Sequence, residues 1–150
     1  GNSYWIGDAE DNNGVYVTQN SGSWSGISDE RLKRNWTNIT GATDKIDTLT
    51  KVGTFERRGK TTGTWSSDKE LGLSAQEVEA IFPEMVTTDG DEVGLKGVRY
   101  GQLTAVLVQA IKEQQAIIES QKTEIADMRA EIDGRLKAIE ETLNTTTLNK

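Results

Sequence analysis

Ser28 and Lys33 are the residues of this chain whose types and spacing bear most directly on chemistry. They lie five positions apart in the stretch SGISDERLKRNW, residues 25–36. The chain has no histidine and no cysteine, so hydrolytic chemistry must draw on Ser, Thr, Lys, Asp, Glu or Tyr. A lysine amine can serve as the base for a serine hydroxyl, in a Ser-Lys variant of the Ser-His pair. Arg31 and Arg34 flank Lys33, and two neighbouring cations disfavour a third positive charge there. A plainer reading stands beside this one. Ser28 followed by Asp29 and Glu30 is a good N-cap, with two acids at the positive end of a short helix. Helix geometry also constrains the pair: each residue turns by about 100°, so residues five apart sit about 140° apart and do not face each other. A working dyad requires Ser28 to precede the helix proper, or Lys33 to come from a neighbouring subunit. Local sequence leaves these alternatives open.

The rest of the composition narrows the setting. Only 34% of the 150 residues are hydrophobic and the mean hydropathy is −0.59, so a large self-contained core is not expected. A formal net charge of −7 argues against nucleic acid as a partner, which usually calls for a basic patch. No apolar run approaches the roughly 18–20 residues needed to span a bilayer, and no signal-peptide pattern opens the sequence. No membrane partner is expected. Without cysteine and histidine, disulfides and the usual zinc sites are excluded, and no metal or cofactor is expected. Of fifteen glycines, only Gly134 follows residue 101. The last fifty residues therefore have a different architecture from the first hundred.

The elements that must position Ser28 and Lys33 can be read from pattern. In residues 1–27, YWIG and GVYVT read as short strands and DNNG as a turn between them. This segment has too little apolar surface to fold alone and looks like the end of a longer β-structure, with Tyr4, Trp5, Tyr16 and Trp24 as its aromatics. Residues 28–45 read as a short helix or turn and then a polar loop, TNITGATDK. Residues 46–66 alternate weakly and suggest two strands joined by the Gly-rich loop GKTTG. LGLSAQEVEAIFPEMV has a helix signature, with Ser74 and Glu77 as a capping box. Val78, Ile81 and Phe82 share its apolar face, and Pro83 ends or kinks it. A turn and a short strand follow, and a very long helix begins near Gln102.

That helix carries the strongest periodic signal. Isoleucine recurs every seventh residue at Ile111, Ile118, Ile125, Ile132 and Ile139, which predicts a coiled-coil seam with these at the a positions. Gln114, Gln121, Met128, Arg135 and Thr142 then fall at d. Leu never occupies d, and the pattern favours a trimer. Gly134 weakens the helix interior, so fraying is expected beyond it, and NTTTLNK reads as a disordered tail. The predicted fold is α+β. A β-rich segment (residues 1–27) precedes a small mixed globular part with short strands and helices (28–101), then a coiled-coil helix (102–143) and a tail (144–150).

Three blocks together carry a family resemblance. SDERLKRNW resembles the Ser-Asp-x-Arg-x-Lys-x-Asn signature that opens the C-terminal intramolecular chaperone domains of phage tailspikes, tail fibres and endosialidases. Here Ser28, Asp29, Arg31, Lys33 and Asn35 carry it. GLSAQEVEAIFPEMV is similar to that family's Gly-Leu-x-Ala-Gln-Glu-Val helix ending in Phe-Pro-Glu, at Gly72, Leu73, Ala75, Gln76, Glu77, Val78, Phe82, Pro83 and Glu84. VRYGQLTAVLVQAIKEQQ is similar to its Tyr-x-x-Leu lead into a long helix, at Tyr100 and Leu103. The resemblance covers residues 28 to about 125, in the family's order.

The resemblance implies a function in two parts. The domain helps three chains of a fibrous β-protein associate and fold, and then releases itself. It is a single-turnover self-cleaving serine endopeptidase, with Ser28 and Lys33 as catalytic pair and Ile27–Ser28 as the scissile bond. Asp29, Arg31 and Asn35 support the turn, and Gly26 lets the scissile strand bend. The implied partners are a homotrimer of this chain and its own upstream fibre or tailspike segment. The implied location is a virus-encoded chain in the host cytoplasm during assembly, with the parent protein in the virion tail. The alternative is a non-cleaving trimerisation tip retained on the fibre and contacting a receptor. Two further rivals are a membrane-tethered transcription factor carrying the same domain and a simple oligomerisation module with Ser28 as a cap.

Overall fold

The computed structural model describes residues 3–8, 13–18, 23–90 and 93–148. The fold is mixed, combining short antiparallel strands with one long C-terminal helix. The chain divides into two compact units, residues 1–38 and 39–150.

The first unit is a three-stranded antiparallel sheet followed by a turn. Strands β1 (Ser3–Asp8), β2 (Asn13–Thr18) and β3 (Ser25–Gly26) pair in sequence order. Trp5 stands opposite Tyr16, Tyr16 opposite Ser25, and Val15 opposite Gly26. Of the expected DNNG turn, Asn13 and Gly14 open β2, and Asp11 and Asn12 lie outside the described residues. Tyr4 and Trp24 are exposed. Among the residues of this unit whose exposure is described, none is buried, in keeping with its poverty in aliphatic side chains.

The second unit holds the core. Helix α1 (Ala42–Asp47) is followed by a ribbon of β4 (Val52–Arg58) and β5 (Trp65–Leu73). Helix α2 (Ala75–Ile81), a 3-10 turn (Pro83–Met85) and the hairpin β6 (Val86–Thr88) and β7 (Lys96–Val98) lead into α3 (Tyr100–Leu148). Ala42, Val78, Phe82, Met85, Val106 and Ala110 are buried together, one small cluster tying α1 and α2 to the first turns of α3. Ile81 packs on its edge. Pro83 opens the 3-10 turn, where its missing amide costs nothing.

Two local expectations give way to tertiary contacts. ATDKID is a helix, capped by Gly41, where pattern predicts a polar loop running into a strand. Ala42 is fully buried against the core, and Glu113 from α3 accepts the Thr43 amide at 2.9 Å. A carboxylate at a helix start satisfies orphan amide donors and complements the dipole. The Ser74–Glu77 capping box does not form. Ser74 is the N-cap of α2 without a side-chain cap bond, and the Glu77 carboxylate instead accepts the amides of Thr50 and Lys51, each at 2.9 Å, and the Thr50 hydroxyl at 2.8 Å. It thereby fastens the segment leading into β4 to α2.

The second and third blocks of the resemblance meet in this unit. The Tyr100 hydroxyl accepts the Leu73 amide at 3.0 Å, joining the start of α3 to the end of β5. Helix α3 begins two residues before Gln102 and runs to Leu148 through Gly134 and the first residues of the expected tail, with Asn149 and Lys150 outside the described residues.

Candidate active site around Ser28

The geometry at Ser28 is set by one turn of 3-10 helix, Glu30–Leu32. Its N-cap is Asp29, whose carboxylate accepts the Arg31 amide at 2.9 Å. Ser28 is therefore not the cap, and its hydroxyl is released from that role. The turn closes with the Lys33 amide donating to the Glu30 carbonyl at 3.0 Å, and Lys33 itself has left helical geometry for extended backbone. A 3-10 turn rises about 2.0 Å per residue, so the four residues between Ser28 and Lys33, three of them in the turn, leave a distance that a lysine side chain can span. Lys33 Nζ lies 2.6 Å from Ser28 Oγ. The obstacle of 140° on a continuous helix does not arise, since Ser28 precedes the turn and Lys33 follows it.

Asp29 and Arg31 brace the turn. The Arg31 guanidinium grips the carboxylate from two sides, Nη2 to Oδ2 at 2.6 Å and Nε to Oδ1 at 3.0 Å. That grip, and after it the Arg31 amide, hold the Asp29 carboxyl below its usual range, with a smaller contribution from the Lys33 charge. Arg31's own charge is thus partnered and is not directed at Lys33. Asn35 adopts left-handed backbone at φ 57°, which asparagine tolerates far better than most residues. After this reversal Trp36 stands beside Lys33, with Nζ 5.4 Å from the ring centroid, within the range of a cation–π contact.

On the other side of the serine, Ile27 follows β3 directly, so pairing with β2 reaches to within one residue of the Ile27–Ser28 bond. Gly26 is not needed for a bend: a Cβ there would meet nothing within 4 Å, and its φ is not positive. The arrangement places a hydroxyl and an amine in hydrogen-bond contact, one residue past a strand end, on a braced turn open to solvent. Sequence pattern singled out Ser28, Lys33, Asp29, Arg31 and Asn35, all of which this turn brings together. It missed Trp36. The only local signal for it was an aromatic three residues after a lysine, a spacing that ordinarily implies nothing without the Asn35 reversal.

Comparison with known proteins matches residues 28–87 to the family model Peptidase S74, described as chaperone of endosialidase. The chain is 31% identical over 87 residues to the long tail fiber protein Gp37 of Escherichia phage AR1, over 57% of this chain and 8% of that protein. It is 27% identical over 107 residues to Gp37 of Salmonella phage S16, over 68% of this chain and 14% of that protein. The chain thus spans a small fraction of the length of these relatives. The matched stretch opens on Ser28 itself, and over residues 28–87 the chain is similar to the chaperones of endosialidase.

Proposed function

We propose that this chain is the intramolecular chaperone of a phage tail fibre or tailspike, that it trimerises through α3, and that it then releases itself by cutting Ile27–Ser28. The observation that carries the cleavage reading is the 2.6 Å contact between Lys33 Nζ and Ser28 Oγ. The family match beginning at Ser28 supports it, as does the likeness to two long tail fibre proteins. On this reading residues 1–27 are the end of the parent β-fibre, residues 28–101 the globular part of the chaperone and residues 102–143 its coiled coil. The chain is virus-encoded and acts in the host cytoplasm during assembly, its parent protein belongs to the virion tail, and the chaperone leaves after cleavage.

The chemistry balances without a cofactor. The neutral Lys33 amine takes the Ser28 hydroxyl proton, and Oγ attacks the carbonyl carbon of Ile27. As the intermediate collapses the Ile27–Ser28 C–N bond breaks, and the Lys33 ammonium returns the proton to the departing Ser28 nitrogen. Ile27 is then held as an ester on Oγ. Water hydrolyses the ester, leaving a carboxylate on Ile27 and restoring the hydroxyl of Ser28. Pairing of Ser28 with Lys33 inside one chain favours the intrachain route over one across subunits.

The benefit to the fibre follows from folding physics. A multi-chain β-fibre has high contact order and open strand edges, so its register search is slow and exposed to aggregation. A linked trimeriser raises the effective concentration of the chains. Cutting the link afterwards leaves the mature fibre held by its own unfolding barrier. Intact mass and a denaturing gel of the purified chain test the reading. A fragment of residues 28–150, absent in Ser28→Ala and Lys33→Ala, is expected. Normal processing of either variant sinks the dyad, and a single full-length band from the unaltered chain favours the retained, non-cleaving tip.

A further inference from the structure

From Gln114 to Thr145 every side chain of α3 is exposed. Its apolar residues nevertheless keep to a pattern more specific than the seven-residue isoleucine repeat. Ile125, Met128 and Ile132 recur eleven residues later as Leu136, Ile139 and Leu143. All six are between 45% and 60% exposed. Up to Ile132 the spacing is that of heptads. From Ile132 to Leu136 the step is four residues where heptads call for three, which has the effect of a four-residue insertion of the kind that locally unwinds a coiled coil.

Helix geometry shows what the insertion does. On a straight helix a heptad drifts by about −20° and an eleven-residue step by about +20°. Leu136 and Leu143 therefore return to within about 40° of the direction of Ile111, whereas Arg135 and Thr142 lie about 120° to 140° from it. Arg135 is engaged away from the stripe, with Nη1 3.8 Å from Glu131 Oε1 in an i,i+4 pair. The Thr142 hydroxyl donates to the Ala138 carbonyl at 2.8 Å, along its own helix.

We infer that α3 associates with a parallel, in-register copy of itself through a seam that changes from heptads to an eleven-residue step between Ile125 and Leu136, so that Leu136 and Leu143, and not Arg135 and Thr142, form its last layers. The inference rests on the association reading proposed above and adds the parallel register of the seam. A partner with unbroken heptads meets Ile125 and Ile132 but falls out of phase at Leu136. Only a helix with the same insertion at the same height stays in phase throughout, and a parallel copy of this chain has it there. The supercoil is left-handed before Ile125 and straightens across the insertion.

The absence of cysteine allows a direct test on the full chain. Single substitutions Ile125→Cys, Arg135→Cys, Leu136→Cys and Leu143→Cys are oxidised and run on a non-reducing denaturing gel. A disulfide needs Cβ atoms about 3.5–4.5 Å apart, a separation that parallel in-register core layers reach with a small shift and flank positions do not. Ile125→Cys, Leu136→Cys and Leu143→Cys are expected to link chains at least tenfold faster than Arg135→Cys. A link at Ile125→Cys with Arg135→Cys faster than Leu136→Cys overturns the changed register and leaves association standing. No link at any of the four overturns both.

Discussion

The Glu113 carboxylate sits across the start of α1, accepting the Thr43 amide at 2.9 Å from a position seventy residues away in sequence. The Ala110 carbonyl, one turn earlier on α3, accepts the Thr43 hydroxyl at 3.1 Å. Together these contacts make a helix of a segment that pattern reads as a loop. They also dock the globular part onto the first turns of α3, while the distal stripe stays clear.

This contact has a defined pH signature. The Thr43 amide, followed by the Gln109 side chain, holds the Glu113 carboxyl at about 2 against an ordinary 4.5. Because the carboxyl binds protons less readily when folded, its stabilisation is fully present above pH 4.5 and is lost as pH falls through about 2. Glu113→Gln should lower the urea midpoint at neutral pH at fixed chain concentration, and the gap to the unaltered chain should close as pH falls through this window. Equal midpoints at neutral pH, or a gap that persists at the acid end, would contradict it.

Lys33→Arg separates holding the serine from taking its proton. Arginine keeps the charge and most of the reach but cannot serve as a base. Since a positioned base contributes about 10²–10⁴-fold, cleavage in this variant should fall by at least about a hundredfold. Retention of a comparable rate would mean that Lys33 only positions Ser28.

Trp36 lies beside the Lys33 amine, which on the proposed mechanism gains charge as it takes the hydroxyl proton, and an indole face stabilises such a charge. At exposed sites the contact is worth about 0.5–1 kcal/mol, so Trp36→Leu should slow cleavage about two- to fivefold. Trp36→Phe should recover part of the loss. Equal rates for Leu and Phe variants would reduce Trp36 to a spectator.

Gly72 and Tyr100 form a coupled pair. A Cβ on Gly72 would come 2.5 Å from the Tyr100 hydroxyl and 3.1 Å from Phe55 Cε1. Gly72→Ala should cost about 1–3 kcal/mol by overpacking, and Tyr100→Phe about 0.5–1.5 kcal/mol by leaving the Leu73 amide without that acceptor. The double variant should cost less than the sum, because the phenyl ring gives the new methyl group room. Additive losses in urea unfolding would show that the clash is relieved elsewhere.

Sequence by itself determined what depends on neighbours and periods. Alternation and turn residues located the β1–β2 pair and the turn of the β4–β5 ribbon, although β5 runs on from Trp65 to Leu73, beyond the expected end at residue 66 and into the expected helix; apolar spacing and Pro83 located α2, and the isoleucine repeat located α3. The no-histidine, no-cysteine composition narrowed the hydrolytic candidates, and the family resemblance, not composition, singled out Ser28 and Lys33 among them. Only the tertiary structure decided where side chains with several possible uses were spent. Glu77 serves Thr50 and Lys51 and not the capping box with Ser74. Glu113 makes α1, and Asp29, not Ser28, caps the short turn that lets Lys33 reach back. The reason is physical: a carboxylate satisfies whichever amides the fold brings within about 3 Å, and spacing along the chain carries no record of that choice.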